Sequence, residues 1–232
     1  MSHIKLKDIL SEVHQTKLDE GILDIFKKIF PSKPTSLDNL TPEQRKILHD
    51  YTKAGYTPIN RHLRNKYGEI DITPDRTYKE YDPKEIEDKI GAISSGFTKE
   101  NTNQRQITVY TGITPEFGDK LIKSIGQTLN FSGFTSTSLD RNIALNFGEK
   151  YANNPNEVYI IKCICPPHTA LDIQKISHNK HEQEQLINYG AKFNVLSHDG
   201  DADEYIYEGG VSSKMIVHEI TIKLLGEQVL KE

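Results

Sequence analysis

Two glutamates, Glu182 and Glu184, are separated by one residue and lead into the apolar pair Leu186 and Ile187. In an extended strand, residues i and i+2 point to the same face, so both carboxylates are expected to project together into one cleft. Neighbouring carboxylates repel each other, which raises the proton affinity of one and leaves the other ionised. This arrangement suits chemistry at a sugar carbon that carries positive charge. The alternative is a solvated strand face, where Glu-x-Glu also occurs by chance.

A serine-rich segment lies upstream of this pair. Residues 134–138 read as a strand, and Ser136 and Ser138 share one of its faces. Asp140 is a favourable helix N-cap, and it predicts a short helix that ends near Phe147. Each serine hydroxyl is both a donor and an acceptor. The two hydroxyls could hold a neighbouring carboxylate or bind a polar ligand; the alternative is a surface strand rich in serine and threonine.

A third segment, residues 106–113, precedes both motifs and reads as a strand of β-branched and aromatic residues. It contains Tyr110 and Thr111 and reaches Gly112, where the absence of a side chain would let a ligand backbone approach.

These three segments, in this order, resemble the mono-ADP-ribosyltransferases, which carry an aromatic-Arg-Gly strand, a Ser-Thr-Ser strand and a Glu-x-Glu or Gln-x-Glu turn. The match is close at residues 136–138 and at residues 182–184. Nearer the N-terminus, Tyr51 and residues 56–60, followed by Leu63 and Arg64, look like the binary-toxin and bacteriophage branches of the family. The resemblance extends over most of the chain, from residue 45 to residue 225.

The resemblance implies an α+β fold with two packed, mostly antiparallel β-sheets behind an N-terminal helical layer. Residues 1–232 would form a single domain, in which residues 1–100 are mainly helical and residues 101–232 form a mainly β catalytic core. NAD would be the substrate and would lie in the cleft between the sheets, with no metal required. The implied reaction breaks the bond between nicotinamide and ribose and transfers ADP-ribose to an arginine of a target protein.

The resemblance also implies a role for each matching residue. Glu184 would stabilise the cationic ribose, Ser136 would hold Glu184, and Glu182 would orient and help deprotonate the acceptor. Residues 174–181 would form the loop that meets the target protein. The residues expected to bind NAD are Tyr110, Thr111, Gly112, Thr137, Ser138, Phe147 (against the nicotinamide ring), and Tyr56 and Asn60 (on the adenosine-phosphate side).

One residue departs from the family pattern. Thr111 stands where the family has the arginine that binds the phosphates of the dinucleotide. A hydrogen bond to a charged group contributes about 1.5–3 kcal/mol, so the loss would weaken binding roughly ten- to a hundred-fold. Another cation could substitute, and the candidates are Arg61, Arg64, Arg105 and Arg141. The alternative functions are a catalytically weak or inactive module of the same fold that binds NAD or a partner, and a plain interaction protein with coincidental motifs.

The composition limits the class of protein. A net charge of -4 over 232 residues argues against a nucleic-acid partner, and no apolar run approaches the roughly 20 residues that cross a bilayer. The first residues lack the apolar core of a secretory signal, so we expect a cytoplasmic protein or a toxin, effector or phage enzyme delivered into a host cell by a non-classical route. A monomer is expected. Cys163 and Cys165 share one strand face and are interpreted as reduced, buried thiols.

Local signals predict the remaining elements. The N-terminal 70 residues read as helical, with an apolar periodicity from Leu18 to Ile29. Thr41-Pro42 and Pro83 each open a helix, the second of which ends near Gly96. Residues 199–204 read as an acidic, solvated loop rather than a calcium site. The predicted strands are 106–111, 134–138, 157–165, 168–173, 191–196 and 215–225.

Overall fold

The computed structural model describes residues 36–67, 82–154, 156–208 and 211–226. The apolar periodicity predicted between residues 18 and 29 lies outside these residues. The first described helices are α1 (Pro42–Asp50), α2 (Tyr56–Lys66) and α3 (Pro83–Ser94), with a π-helical turn (Tyr51–Gly55) between α1 and α2. None of the described helices is long and apolar enough to cross a membrane.

The two predicted helix starts are confirmed. Thr41 and Gln44 form a reciprocal capping box at α1, in which each backbone N–H donates to the side chain of the other residue at 2.8 and 3.1 Å. At α3, the Asp82 carboxylate accepts a hydrogen bond from the N–H of Lys84 at 2.9 Å. The isoleucines of α3, which recur at three- and four-residue spacing, are buried: Ile86, Ile90 and Ile93.

The second half of the described chain is mainly β, as predicted, and contains two further helices. One of these, α4, was not predicted, although Thr114-Pro115 is the same kind of opening as Thr41-Pro42. The elements are β1 (Ile107–Ile113), α4 (Pro115–Lys123), β2 (Thr128–Asn130), β3 (Thr135–Ser138), α5 (Arg141–Tyr151), β4 (Glu157–Cys165), β5 (Ala170–Asp172), β6 (Glu184–Ile187), β7 (Lys192–Glu208) and β8 (Val211–Leu224).

The described strands are hydrogen-bonded in the order β2-β7-β8-β4-β1-β3-β6-β5. Neighbours are antiparallel except for β4 and β8, which are parallel. Two parts of this order, β2-β7-β8-β4-β1 and β3-β6-β5, meet at a single residue pair, Tyr110 with Ser138. The predicted α+β, mostly antiparallel architecture is therefore confirmed, and the strands expected to form two sheets are linked through that one pair into a single eight-stranded order.

The prediction of a solvated loop at residues 199–204 is wrong. These residues belong to β7, which pairs with β8 over most of its length. The ladder shifts register between Asp199 and Ala202, so the turn-like Asp-Gly-Asp sequence produces a bulge within the strand. The pairing supplies partners for the backbone groups of both strands, which explains why weak local turn signals do not end the strand.

The helical layer packs against the part of the sheet that carries β3 and β6. Its buried residues form one cluster with Phe134, Leu171 and Leu186. A second cluster lies on the other part of the sheet beside α4 and includes Cys163 and Cys165, which are buried and free as predicted. The helical layer in front of the sheet is thus confirmed, whereas the assignment of residues 1–232 to one domain stays a prediction.

Candidate active site

Glu184 is the first residue of β6, and only 5% of its surface is exposed. β6 pairs with the serine strand β3 in a register that places Ser138 opposite Glu184 and Ser136 opposite Leu186. Residues directly opposite each other on antiparallel strands project to the same side of the sheet. The structure therefore brings the serine strand and the second glutamate together on one face, as the sequence predicts.

The Ser177 hydroxyl holds the Glu184 carboxylate: Ser177 Oγ donates a hydrogen bond to Glu184 Oε2 at 2.7 Å. Burial raises the pKa of Glu184 above its ordinary value, because a charged carboxylate loses hydration there. The hydroxyls of Ser177 and of the exposed Ser136 oppose that rise, and the charge of Glu182 adds to it. Glu184 is thus a buried carboxylate whose charged form depends on the hydroxyls around it.

The prediction that both glutamates project from one extended strand is wrong. Glu182 ends a short 3-10 helix, Lys180–Glu182, and Gln183 has left-handed backbone angles (φ 46°, ψ 46°). This reversal leaves Glu182 partly exposed, whereas Glu184 is buried in the sheet. The Glu182 carboxylate accepts a hydrogen bond from Asn179 Nδ2 at 2.8 Å. The two carboxylates remain close but occupy different environments, which is how two acidic groups acquire different roles.

Two further hydroxyls of the serine strand, those of Ser138 and Thr137, bind backbone groups. Ser138 Oγ donates to the carbonyl oxygen of Glu182 at 2.6 Å and accepts from the N–H of Asp140 at 2.9 Å. Thr137 Oγ1 donates to the carbonyl oxygen of Gln185 at 2.7 Å. Both side chains are buried, and their hydroxyls join the serine strand to the Glu-x-Glu turn. Their predicted contact with NAD stays a prediction.

The segment from Tyr51 to Asn60 supports the start of the serine strand. The buried amide of Asn60 accepts from the N–H of Phe134 and donates to its carbonyl oxygen, both at 3.0 Å. It also donates to the hydroxyl of Tyr51 at 3.2 Å, and that hydroxyl donates to the carbonyl oxygen of Phe134 at 3.4 Å. Asn60, predicted to line the cofactor, is therefore fully engaged with protein groups. Tyr56, its predicted companion, is 46% exposed.

Gly112 permits a close approach, but the backbone that approaches it belongs to α5. A Cβ at position 112 would lie 2.3 Å from the nitrogen of Gly148 and 2.5 Å from the carbonyl oxygen of Ala144. This contact seats α5 directly on β1, beside the partly exposed Tyr110. Phe147, also on α5, is partly exposed, and Lys150 Nζ lies 4.6 Å from the centre of its ring.

Thr111 is partly exposed, and its hydroxyl donates to the carbonyl oxygen of Gly112 at 3.4 Å. Among the four candidate substitutes for the missing arginine, Arg141 is paired with Glu219 at 2.8 Å. Burial raises the pKa of Tyr51 and of Tyr151, and the positive charge of Arg64 opposes each rise. Arg64 is therefore a candidate whose charge acts on Tyr51.

Two site residues were not identified individually from the sequence: Ser177 and Asn179. Both lie in the loop that was expected to meet a target protein, and each donates to one of the two glutamates. No local pattern distinguishes a serine seven residues before a glutamate from an ordinary loop serine. Only the fold shows which of these side chains turns inward.

Comparison with known proteins identifies relatives of this chain in phages. The chain is 33% identical over 114 residues to proteins named NAD(+)--arginine ADP-ribosyltransferase from Enterobacteria phages T2 and T6. That segment makes up 48% of this chain and 15% of the phage proteins, so the chain spans a small part of their length.

Solved structures share the fold at low sequence identity. Plx2a, an ADP-ribosyltransferase toxin from Paenibacillus larvae, has a TM-score of 0.55 at 21% identity, covering 82% of this chain and 90% of the toxin. BECa, an ADP-ribosylating toxin of C. perfringens solved with NADH, has a TM-score of 0.56 at 20% identity, covering 81% and 45%. The model of the ADP-ribosyltransferase exoenzyme family matches residues 32–223, which is most of the chain. The chain belongs to the ADP-ribosyltransferase exoenzyme family.

Proposed function

We propose that the protein is a mono-ADP-ribosyltransferase that cleaves NAD and transfers ADP-ribose to an arginine side chain of a target protein. The observation that carries the proposal is the buried Glu184 carboxylate, which the Ser177 hydroxyl holds next to the serine strand and beside the more exposed Glu182. Family membership supports the reaction type. The names of the phage relatives support arginine as the acceptor, and the NADH in BECa supports a dinucleotide site.

The proposed chemistry follows from charge. As nicotinamide leaves, the ribose carbon gains positive charge, and a carboxylate already fixed beside it stabilises that charge without reorganising. Glu184 suits this role because the Ser177 hydroxyl restricts its position before the substrate arrives. Burial also strengthens its interaction with a cation, since little water is present to screen the two charges.

Glu182 suits the acceptor side. An arginine guanidinium is very weakly acidic, so transfer to its nitrogen needs a base that accepts the proton as the bond forms. Glu182 is partly exposed and follows the loop on which Asn179 orients its carboxylate. We assign Glu184 to the sugar and Glu182 to the acceptor on this difference in exposure.

We keep as NAD-binding residues seven of those predicted from the sequence: Tyr110, Thr111, Gly112, Thr137, Ser138, Phe147 and Tyr56. The amide of Asn60 bonds Phe134 and Tyr51, so we assign Asn60 to the support of the serine strand. We add that Arg64 binds the phosphates in place of the arginine that Thr111 replaces. Its charge acts on Tyr51, whose hydroxyl donates to the carbonyl oxygen of Phe134 at the start of the serine strand. A single guanidinium can bind a phosphate through two hydrogen bonds, which a threonine hydroxyl cannot do.

The test uses NAD labelled in its adenylate part, with agmatine as a small guanidinium acceptor. The wild-type protein should release nicotinamide and label agmatine. Glu184→Gln should abolish both activities, whereas Glu182→Gln should keep NAD hydrolysis and lose transfer. Nicotinamide release without label in agmatine or in protein arginines would contradict arginine transfer.

A second candidate function is a silent NAD-binding module, which the replacement at Thr111 favours. Calorimetric titration with NAD distinguishes the two functions. Saturable binding without nicotinamide release would support the silent module, and absence of binding would contradict both proposals. If Arg64 binds the phosphates, Arg64→Ala should weaken NAD binding by roughly ten- to a hundred-fold, whereas Arg105→Ala should leave it unchanged.

A further inference from the structure

Ser177 lies in a tightly folded segment immediately before the two glutamates. Its N–H donates to the carbonyl oxygen of Ile173 at 2.8 Å, and the N–H of Ile173 donates to the carbonyl oxygen of Glu184 at 3.1 Å. Only 3% of Ser177 is exposed. The serine is therefore anchored, through a short chain of backbone hydrogen bonds, to the same residue whose carboxylate its hydroxyl contacts.

The two serines that act on the pKa of Glu184 differ in their access to water. Ser136 is exposed. Ser177 is buried, and its bond to Glu184 Oε2 is a short 2.7 Å. Water can compete for the Ser136 hydroxyl but has little access to that of Ser177. A hydroxyl that donates to a carboxylate favours the charged form, and this effect is greatest where other solvation is absent.

We infer that Ser177 is a positioning residue that holds the Glu184 carboxylate in its reactive orientation from the buried side. This inference rests on the proposed function, since it concerns the carboxylate that faces the ribose. Ser177 acts through Glu184 and does not need to touch the substrate.

The same short segment also positions the other glutamate. Asn179, two residues after Ser177, donates to the Glu182 carboxylate at 2.8 Å. Between them, the N–H of His178 donates to the hydroxyl of Thr52 at 2.9 Å, which joins the segment to the π-helical turn. One loop thus supplies a donor to each carboxylate and is itself attached to the helical layer.

The test is the pH dependence of nicotinamide release by Ser177→Ala. We expect kcat to fall about ten- to a hundred-fold with little change in KM for NAD, because a hydrogen bond to a charged group is lost. Without that bond the pKa of Glu184 should rise further, so the acid limb of the kcat profile should move to higher pH. Ser177→Thr, which keeps the hydroxyl, should restore the position of the limb. A loss of packing alone would not move it.

Ser124→Ala is the matched control. Ser124 is also a buried serine, and its hydroxyl donates to the carbonyl oxygen of Lys120 at 2.8 Å, on α4. The inference is overturned if Ser177→Ala has the same kcat as Ser124→Ala and its acid limb lies at the same pH. Ser177→Cys, which is close to serine in size but a weak donor, decides the matter if the alanine variant does not fold. A wild-type protein that never releases nicotinamide would instead refute the proposed function.

Discussion

Replacement of Asn60 by alanine should lower the free energy of unfolding, because the Asn60 side chain supports the fold. A residue that only contacted NAD would have no such effect on the free protein. The Asn60 amide bridges the N–H and the carbonyl oxygen of Phe134, which is 74 residues away in the chain and only 3% exposed. Phe134 immediately precedes β3, so neither backbone group has a partner in a strand ladder. Alanine removes the acceptor of the Phe134 N–H and leaves its carbonyl oxygen with the longer 3.4 Å bond from Tyr51.

The expected magnitude follows from these contacts. A buried polar group that loses its partner costs about 1–3 kcal/mol. Because the N–H and the carbonyl oxygen of Phe134 are both affected, Asn60→Ala should lower the free energy of unfolding by roughly 2–5 kcal/mol. Asn153 provides the control, since its amide donates to Glu116 at an exposed site with a similar 3.0 Å bond. Asn153→Ala should change the free energy of unfolding by less than about 0.5 kcal/mol.

Urea unfolding followed by circular dichroism measures both variants, and NAD kinetics on the same preparations measures the site. Since Asn60 holds the strand that presents Ser136, Asn60→Ala should also lower kcat. The reasoning would be refuted if Asn60→Ala unfolded at the same urea concentration as Asn153→Ala while its KM for NAD rose steeply. That result would identify Asn60 as a ligand contact rather than a structural support.

Two further predictions concern Glu184 and the glycines. Because burial raises the pKa of Glu184, the folded protein binds more protons than the unfolded chain between the ordinary and the raised pKa, and stability falls as pH rises through that interval. Glu184→Gln does not titrate and so does not lose this stability. The melting temperature of the variant minus that of the wild type should therefore increase from acid to neutral pH. A difference that stays constant with pH would contradict the raised pKa of Glu184. Gly112→Ala should destabilise by about 1–3 kcal/mol, because its Cβ would overlap Gly148 and Ala144. Gly91 is an exposed site within α3 with open space around it, so Gly91→Ala should instead stabilise the protein by roughly 0.4–1 kcal/mol. If Gly112→Ala and Gly91→Ala changed the melting temperature equally, the close contact at Gly112 would be refuted.

Much of the local structure could be predicted from the sequence, because its signals act over a few residues. The Thr41 capping box, the apolar face of α3 and the strand at residues 157–165 all depend on neighbours in the chain. The order of the serine strand and the glutamate pair also predicted which segments would meet. The same signals failed at residues 199–204, where pairing with β8 outweighed a local turn preference.

The functional geometry depended on contacts between residues far apart in the chain. The sequence alone determined which residue types were present and that a serine strand and two glutamates occurred in a family order. Only the tertiary structure decided that Glu184 is buried while Glu182 stays partly exposed, because the left-handed Gln183 reverses the chain between them. It also decided that Ser177 turns inward to Glu184, since burial and the partner of a single hydroxyl depend on what the rest of the fold packs around it.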